Sequence, residues 1–517
     1  MQILNNKLNK KTLPITVTYE TQENLPEKVI QFGEGNFMRG FVDWMINELN
    51  KQGLFNGKVV VVQPRGQDKI PLINNQDGLY TLVLRGVEKG EKVEKKEIIS
   101  AVSRGVKVID EWDQLQKLVT SKDIRFVFSN TTEAGITYLQ EPFIPNSAPK
   151  SYPAKLTALL YHRFTFFKGT AESGLVIIPC ELVEENGNLL KKLVLKIAND
   201  WELPQEFNEW IRQYNHFCNT LVDRIVTGYP KDEIEIFDKL GYKDQLLTVG
   251  EPYHLFAIDA PPEVAKEIPF EKAGLNVKWD DITPFRNLKV RLLNGPHTMM
   301  SSVCYLAGVD TVQEVMEDET LRTFIANGML NEIYPTVDIE EAEKKHFVEA
   351  VTERFLNPYN KHFIKDIALS SVYKFKSRLI PSLLDYVEQK NTLPPSITFA
   401  LAGLLAFNRP IKVEGGELVG QRGEAEYAIR DNPSVMKTCL SAWTNFDDTA
   451  EGVTALVTEV LSNTKIWGQD LHAVPNLTPT VATHLNDILE NGMRACVEKF
   501  VREVSTISLE ASLEVKK

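Results

Sequence analysis

A chain of 517 residues exceeds what one hydrophobic core normally serves, so two domains are expected. With 43% hydrophobic and 25% charged residues the composition is that of a globular protein. The net charge of -12 excludes a broad nucleic-acid surface, which needs a clustered basic excess. No apolar run reaches the roughly 18 residues of a membrane span. The start, MQILNNKLNKKTLPITV, has lysines but no apolar stretch behind them to make a secretory signal. Cys180, Cys218, Cys304, Cys439 and Cys496 are scattered, without a CxxC pair, as in reducing compartments. A cytoplasmic setting, with no nucleic-acid or membrane partner, is the expectation.

In chain order, KVIQF (28–32) reads as a strand that runs into a glycine turn and then the amphipathic stretch 41–49. GKVVVVQ (57–63) reads as a second strand, almost purely valine and therefore buried on both faces. IRFVFS (124–129) and LVIIP (175–179) repeat the pattern, with helical segments between and after them. Buried strands alternating with helices predict a parallel sheet. Beyond about residue 280 helix-period segments dominate: 290–306, 340–355, 394–407, 481–489 and 493–504, the last two flanking an Asn491-Gly492 break. The expected architecture is therefore α/β, with an open parallel-sheet domain at 1–280 and a mostly α-helical domain at 281–517. Ligands of open parallel sheets bind beyond the carboxyl ends of the strands, which predicts an active site in a cleft between the halves.

The glycine turn reads Gly33-Glu34-Gly35-Asn36-Phe37-Met38-Arg39-Gly40. Closely spaced glycines let a backbone approach a pyrophosphate, whose charge then meets the amides and dipole of the helix start. A full GxGxxG would place glycine or alanine where Met38 stands. An acid that would hold the adenosine ribose is missing at the end of the second strand, where Gln63-Pro64-Arg65 stands. NAD and NADP are thus both open at this point, and Arg65 could meet a 2′-phosphate. Asn130, Thr131, Thr132 and Glu133 follow a strand at its carboxyl end, where a nicotinamide ribose would sit; a helix cap by Asn130 or Thr131 is the alternative.

The strongest chemical constellation is Lys289-Val-Arg-Leu-Leu-Asn294-Gly-Pro-His297. On a regular helix, at about 100° per residue, Asn294 and His297 share a face and Lys289 lies about 80° from His297, with Pro296 placed to kink the segment. Ketone reduction needs a proton donor for the nascent alkoxide and polar groups that polarise the carbonyl. A lysine among cations, here Arg291 and His297, can act as general acid or base, and an asparagine amide can donate to an oxyanion. Read alone, the same residues also fit a solvated lysine and a satisfied polar histidine. The remaining histidines show no metal-ligand spacing, and His216 and Cys218 have no third partner nearby.

Lys289, Asn294 and His297 match position for position the Lys-x4-Asn-x2-His signature of the polyol-specific long-chain dehydrogenases, the mannitol dehydrogenase family, which this chain resembles. Gly33, Glu34, Gly35, Asn36 and Phe37, with Arg39 beyond them, resemble that family's cofactor loop. The resemblance implies a Rossmann-like N-terminal domain, a helical C-terminal domain, NAD as cofactor and no catalytic metal. It also implies Lys289 as the acid–base group, with Asn294 and His297 orienting and polarising the substrate oxygen. The cofactor side would include Asn130, Thr131 and Glu133. Longer stretches, among them IQFGEGNFMRGFVDWMI (30–46), RFVFSNTTEAGITY (125–138), IIPCELVEENG (177–187) and RFLNPYNKH (354–362), are similar to the uronate-reducing branch, which implies a sugar-acid ketone as substrate. Where mannitol dehydrogenases carry Cys-Asp-Asn-Leu, this chain has Cys180-Glu181-Leu182-Val183, with Asn186-Gly187 retained. Leu182 cannot donate to an oxyanion, which argues against mannitol. A substrate carboxylate calls for a cation, with Arg224, Arg354, His362, Lys374 and Arg378 as candidates. Asp223 resembles a family aspartate at the site, a salt bridge to Arg224 or a helix cap being its alternative. A non-catalytic dinucleotide sensor on the same fold is the rival from another class.

Overall fold

The computed structural model describes residues 1–20, 24–64, 66 and 68–514, with side chains at all of these except 133 and 505–514. The chain divides into two compact units, Met1–Thr283 and Pro284–Lys517.

The N-terminal unit is built on six strands: β1 (Glu27–Phe32), β2 (Lys58–Gln63), β3 (Val102–Lys107), β4 (Phe126–Ser129), β5 (Val176–Pro179) and β6 (His216–Phe217). Their spatial order is β3-β2-β1-β4-β5-β6, and every neighbouring pair is parallel. The chain starts in the middle, works outward to one edge and returns to build the other half. Strand order therefore reverses between β1 and β4, the place where such sheets bind ligands. The valine run of β2 has a direct cause. Val59 and Val61 enter the core on one face of the sheet, while Val60 and Val62 enter the core on the other, and all four are buried. Each contributes about 1.5–3 kcal/mol by leaving water. Trp112–Val119, Tyr152–Phe167, Asn186–Asp200 and Gln205–Tyr214 cover one face, and a helix over 36–51 helps cover the other.

A second sheet of five strands was not predicted. It runs Val17–Thr18, Glu91–Ile99, Tyr80–Glu88, Thr248–Gly250, Val226–Gly228. Its long hairpin turns at Lys89-Gly90, both in the left-handed region at φ 53° and 79°, the conformation a tight hairpin turn requires.

The C-terminal unit is helical, with one departure from expectation. Among the described residues it holds a three-stranded antiparallel meander, Lys412–Glu414, Glu417–Arg422 and Ala425–Ile429. Pro395–Phe407 is apolar all round and nearly fully buried, the pattern of a central helix. Gly492, at φ 77°, ends one late helix and Met493 begins the next. No helix among the described residues is long and apolar enough to cross a membrane.

Candidate active site

The glycine turn leaves β1 at the reversal point. Gly33 has φ 122°, and a Cβ there would stand 2.6 Å from the carbonyl oxygen of Asn130, so the turns after β1 and β4 touch backbone to backbone. Gly35 is exposed, and a Cβ built on it would meet nothing within 4 Å. The helix over 36–51 begins here, α-helical at Asn36–Met38 and Trp44–Lys51 and π-wound at Arg39–Asp43. Its first amides have no partner inside the helix. An open glycine, a close turn and free amides at the head of a long helix fit a pyrophosphate. Met38, where the motif calls for a small residue, is buried. The close-packing glycine is Gly40, where a Cβ would lie 3.1 Å from the Val226 side chain.

Arg39 stands behind this loop rather than on its open face. It is 6% exposed, donates through Nε to the Thr248 hydroxyl at 3.1 Å and through its other nitrogens to the Glu34 carbonyl and the Asn36 side chain. It braces the turn. Phe37 stacks on Phe41, 5.0 Å between ring centroids. Burial pushes the Glu34 carboxyl up from its ordinary range, and the nearby Asp68 adds to the shift. Asp68, whose carboxylate accepts from Gln63 Nε2 at 3.0 Å, is the acid just beyond β2 that a search for an acid at the strand's end misses. Arg65 lies outside the described residues.

After β4, Asn130 donates its backbone N–H to the Phe32 carbonyl at 2.9 Å and its side-chain amide to the Cys180 carbonyl at 3.1 Å. Neither Asn130 nor Thr131 caps a helix. Both the N–H and the hydroxyl of Thr131 donate to Glu181 Oε1 at 2.9 Å, and Ser129 donates to Glu181 Oε2 at 3.0 Å. Thr132 follows at φ 71°, ψ 165°, a region side chains with a Cβ avoid. Glu133 opens the 3-10 turn Glu133–Gly135. Leu182 is 63% exposed. Asn186 is buried and ties β5 to the strand Asn219–Asp223, its amide nitrogen donating to the carbonyls of Pro179 and Glu181 at 3.1 Å each and to the Thr220 hydroxyl at 3.0 Å.

In the C-terminal unit, Lys289, Asn294 and His297 lie on a continuous helix that is π-wound at Lys289–Asn294 and again at Met300–Cys304. Pro296 has no N–H to donate to the preceding turn, and the first wide segment sits just before it. Winding i to i+5 turns each residue roughly 15–20° less than winding i to i+4. Over the five steps from Lys289 to Asn294 this removes about the 80° by which Lys289 would miss His297 on a regular helix. The π segment therefore puts Lys289 and His297 on one face. Lys289 is half-buried, and the Asn294 amide makes no hydrogen bond among the described residues. Arg291 is turned elsewhere, paired with Asp385 and donating to the Thr336 carbonyl at 3.0 Å.

His297 is 7% exposed, its ring 4.7 Å from that of Phe355 and 4.8 Å from that of His362. Burial drives its pKa well below the ordinary 6.5, and His362, Arg354, Arg378 and Lys374 all push in the same direction. Arg354, Lys374 and Arg378, with the His362 ring, all four of them predicted for a substrate carboxylate, therefore gather around this one ring. Arg378 donates to the Thr298 hydroxyl at 3.2 Å, and burial lowers its pKa to about 10. Lys374 donates to the Ile367 carbonyl at 2.8 Å, and its pKa is lowered by burial and then by Arg378. Asp366, which works against burial at His362, and Asp431, which does so at Lys374, are acids that face this group. Such an excess of positive charge around a neutral imidazole suits an anionic ligand.

Arg224 is not among these cations. It is buried in the N-terminal unit, donating to the carbonyls of Glu251 and Gly40 at 2.8 Å each and lying 4.1 Å over the Trp44 ring. Nε and Nη1 of Arg224 are thus taken up within the N-terminal unit, while Nη2 is buried without a hydrogen-bond partner among the described residues. Asp223 ends the strand Asn219–Asp223 and is buried there.

Against known proteins, residues 27–272 match the mannitol dehydrogenase Rossmann domain and residues 281–489 the mannitol dehydrogenase C-terminal domain. The chain belongs to the mannitol dehydrogenase family. It is an oxidoreductase acting on a CH–OH group. The altronate oxidoreductase of Halalkalibacterium halodurans is 46% identical over 94% of this chain and 96% of its own length. That of Bacillus subtilis is 42% identical over 96% and 98%. Among solved structures, a substrate-free D-sorbitol dehydrogenase has a TM-score of 0.78 at 21% identity, covering 96% of this chain and all of its own. The ternary complex of Pseudomonas fluorescens mannitol 2-dehydrogenase with NAD and D-mannitol gives 0.66 at 19%, covering 97% of this chain and all of its own. At those identities the two structures speak for the fold alone.

Proposed function

We propose that this member of the mannitol dehydrogenase family catalyses the reversible, NAD-dependent reduction of D-tagaturonate to D-altronate, a step of hexuronate catabolism in the cytoplasm. The observation that carries the substrate class is the gathering of Arg354, His362, Lys374 and Arg378 around His297, on the unit that bears Lys289 and Asn294. A polyol has no group that calls for such a cluster; a sugar acid has its carboxylate. The names of the curated relatives supply the particular acid.

In this reading the N-terminal unit holds the dinucleotide through Gly33, Glu34, Gly35, Asn36 and Phe37, with Asn130, Thr131 and Glu133 on the nicotinamide side. When bound, NADH supplies the hydride. The C-terminal unit does the rest. Lys289 gives a proton to the oxygen that was the ketone and takes it back in the oxidative direction. Asn294, its amide uncommitted, donates to that oxygen as charge develops on it. His297 stays neutral at working pH and so can hold a neighbouring hydroxyl as donor or acceptor. Arg378 and Lys374, with Arg354, hold the carboxylate and fix which carbon faces the hydride.

The test is NADH oxidation followed by absorbance with D-tagaturonate, D-fructuronate and uncharged D-fructose in parallel, and NADPH as control. Turnover of D-tagaturonate with NADH is expected. Preference for D-fructuronate would keep the carboxylate site and move the chain to the sister reaction. Preference for D-fructose would overturn the carboxylate reading. A chain that binds NADH but turns over none of the three would be a sensor.

A further inference from the structure

One buried titratable group has no part in the chemistry above. Glu181, at the carboxyl end of β5, is 2% exposed, and its three donors all come from the end of β4: the Ser129 hydroxyl, the Thr131 hydroxyl and the Thr131 N–H. Both carboxylate oxygens are engaged. Tyr152, from the helix Tyr152–Phe167, and the Cys180 thiol also face it; both are neutral groups whose own ionisation it opposes. Burial raises its pKa, while the hydrogen bonds from Thr131 and Ser129 hold it down. A carboxylate kept in such surroundings has to be held by its donors, and it holds them in turn.

What it holds is a strained turn. Thr132 sits at φ 71°, ψ 165° immediately after the clamped Thr131, a conformation that persists only where its surroundings enforce it. The same turn is pinned to β1 through Asn130 N–H and packs against Gly33 with no room for a Cβ. It thus stands at the reversal point of the sheet, next to the glycine turn. We propose that Glu181 is a positioning residue that clamps residues 129–132 into the shape that receives the nicotinamide half of the dinucleotide. This rests on the reading that the N-terminal unit binds NAD.

The two halves of the cofactor separate the proposal from general damage to the fold. NADH needs both turns, whereas ADP offers only the adenosine and pyrophosphate that the glycine turn would hold. In Glu181→Gln one oxygen is replaced by an NH2 that faces donors. Titrations of the full-length protein should show the Kd for NADH rising roughly tenfold, with the Kd for ADP unchanged within about twofold. Equal losses for both ligands, or no loss for NADH, would overturn the proposal. If Glu181→Gln does not fold, Ser129→Ala carries the test, since it removes one donor to Glu181 at a residue outside the cofactor contacts. A rise of about threefold for NADH with ADP unchanged supports the clamp, and no rise overturns it. A wild-type protein that binds neither ligand overturns the dinucleotide reading itself, and this proposal with it.

Discussion

At the scale of single residues, the site separates proton transfer from anchoring. Lys289→Ala removes the proton donor while leaving the N-terminal unit untouched. Its kcat should fall by about 10² to 10⁴, the usual weight of a general acid, while the NADH Kd from fluorescence titration stays at the wild-type value. Retained turnover would remove Lys289 from the mechanism. Arg378→Met tests anchoring. Loss of one charge-assisted contact should raise KM for the carboxylated substrate about tenfold or more. Turnover of an uncharged ketose, already poor, should not fall with it. If kcat/KM falls equally for both substrates, Arg378 supports the fold and not the carboxylate. The Lys-Asn-His spacing could be read in the sequence because three side-chain types at fixed intervals are a local fact. The cations around His297 could be named but not assembled, since they come from 354–378 and meet a residue near 297 only through folding. Glu181 was visible only as part of a departure from a motif; its donors lie some fifty residues upstream.

At the scale of elements, the four buried strands β1, β2, β4 and β5 were legible because strands buried on both faces read as unbroken apolar runs. The hairpin strand Glu91–Ile99 was not, because EKVEKKEII is charged along most of its length and exposed over its first half. The meander after residue 411 carries glycine turn signals at Gly415, Gly416 and Gly423, all with positive φ. Those signals were readable, but the helical texture on either side outweighed them. The π segments had no sequence signal beyond Pro296, since hydrophobic periodicity does not report hydrogen-bond register. The turn between β1 and its helix gives the sharpest test at this scale. At Gly33 a side chain meets two obstacles together: φ of 122° and a carbonyl oxygen 2.6 Å from the new Cβ. Gly33→Ala should therefore force the turns after β1 and β4 apart, at a strain of about 1–3 kcal/mol. NADH affinity should drop at least tenfold by titration calorimetry. Unchanged affinity would mean that neither turn contacts the cofactor.

At the scale of the whole molecule, stability across pH follows from which ionisable groups the fold keeps out of water. His254 packs edge-on against Trp44, 4.9 Å between centroids, and its Nε2 accepts the Asn276 N–H at 2.9 Å. Burial, reinforced by Arg224, lowers its pKa to about 3. The sign of the effect is fixed by comparing the two states. Below the ordinary value of 6.5 the unfolded chain takes up a proton at His254, while the folded protein does not until near pH 3. The unfolded state therefore gains, and the fold loses about 1.4 kcal/mol per pH unit from this residue as pH falls from 6.5. Above 6.5 both states are neutral there and nothing changes. Asp43, Glu97 and Glu332, each raised to about 7, act oppositely: they favour the fold at acid pH and lose that contribution as pH rises toward 7. The measured profile sums these opposed slopes, so one residue has to be isolated by difference. His254→Gln keeps an acceptor for Asn276 and removes the titration. Urea midpoints at pH 7.5 and pH 5 should show the wild type losing about 2 kcal/mol more over that interval than the variant does. Equal losses would mean that His254 takes up its proton in the folded state, and that water reaches a ring the packing against Trp44 is expected to keep dry.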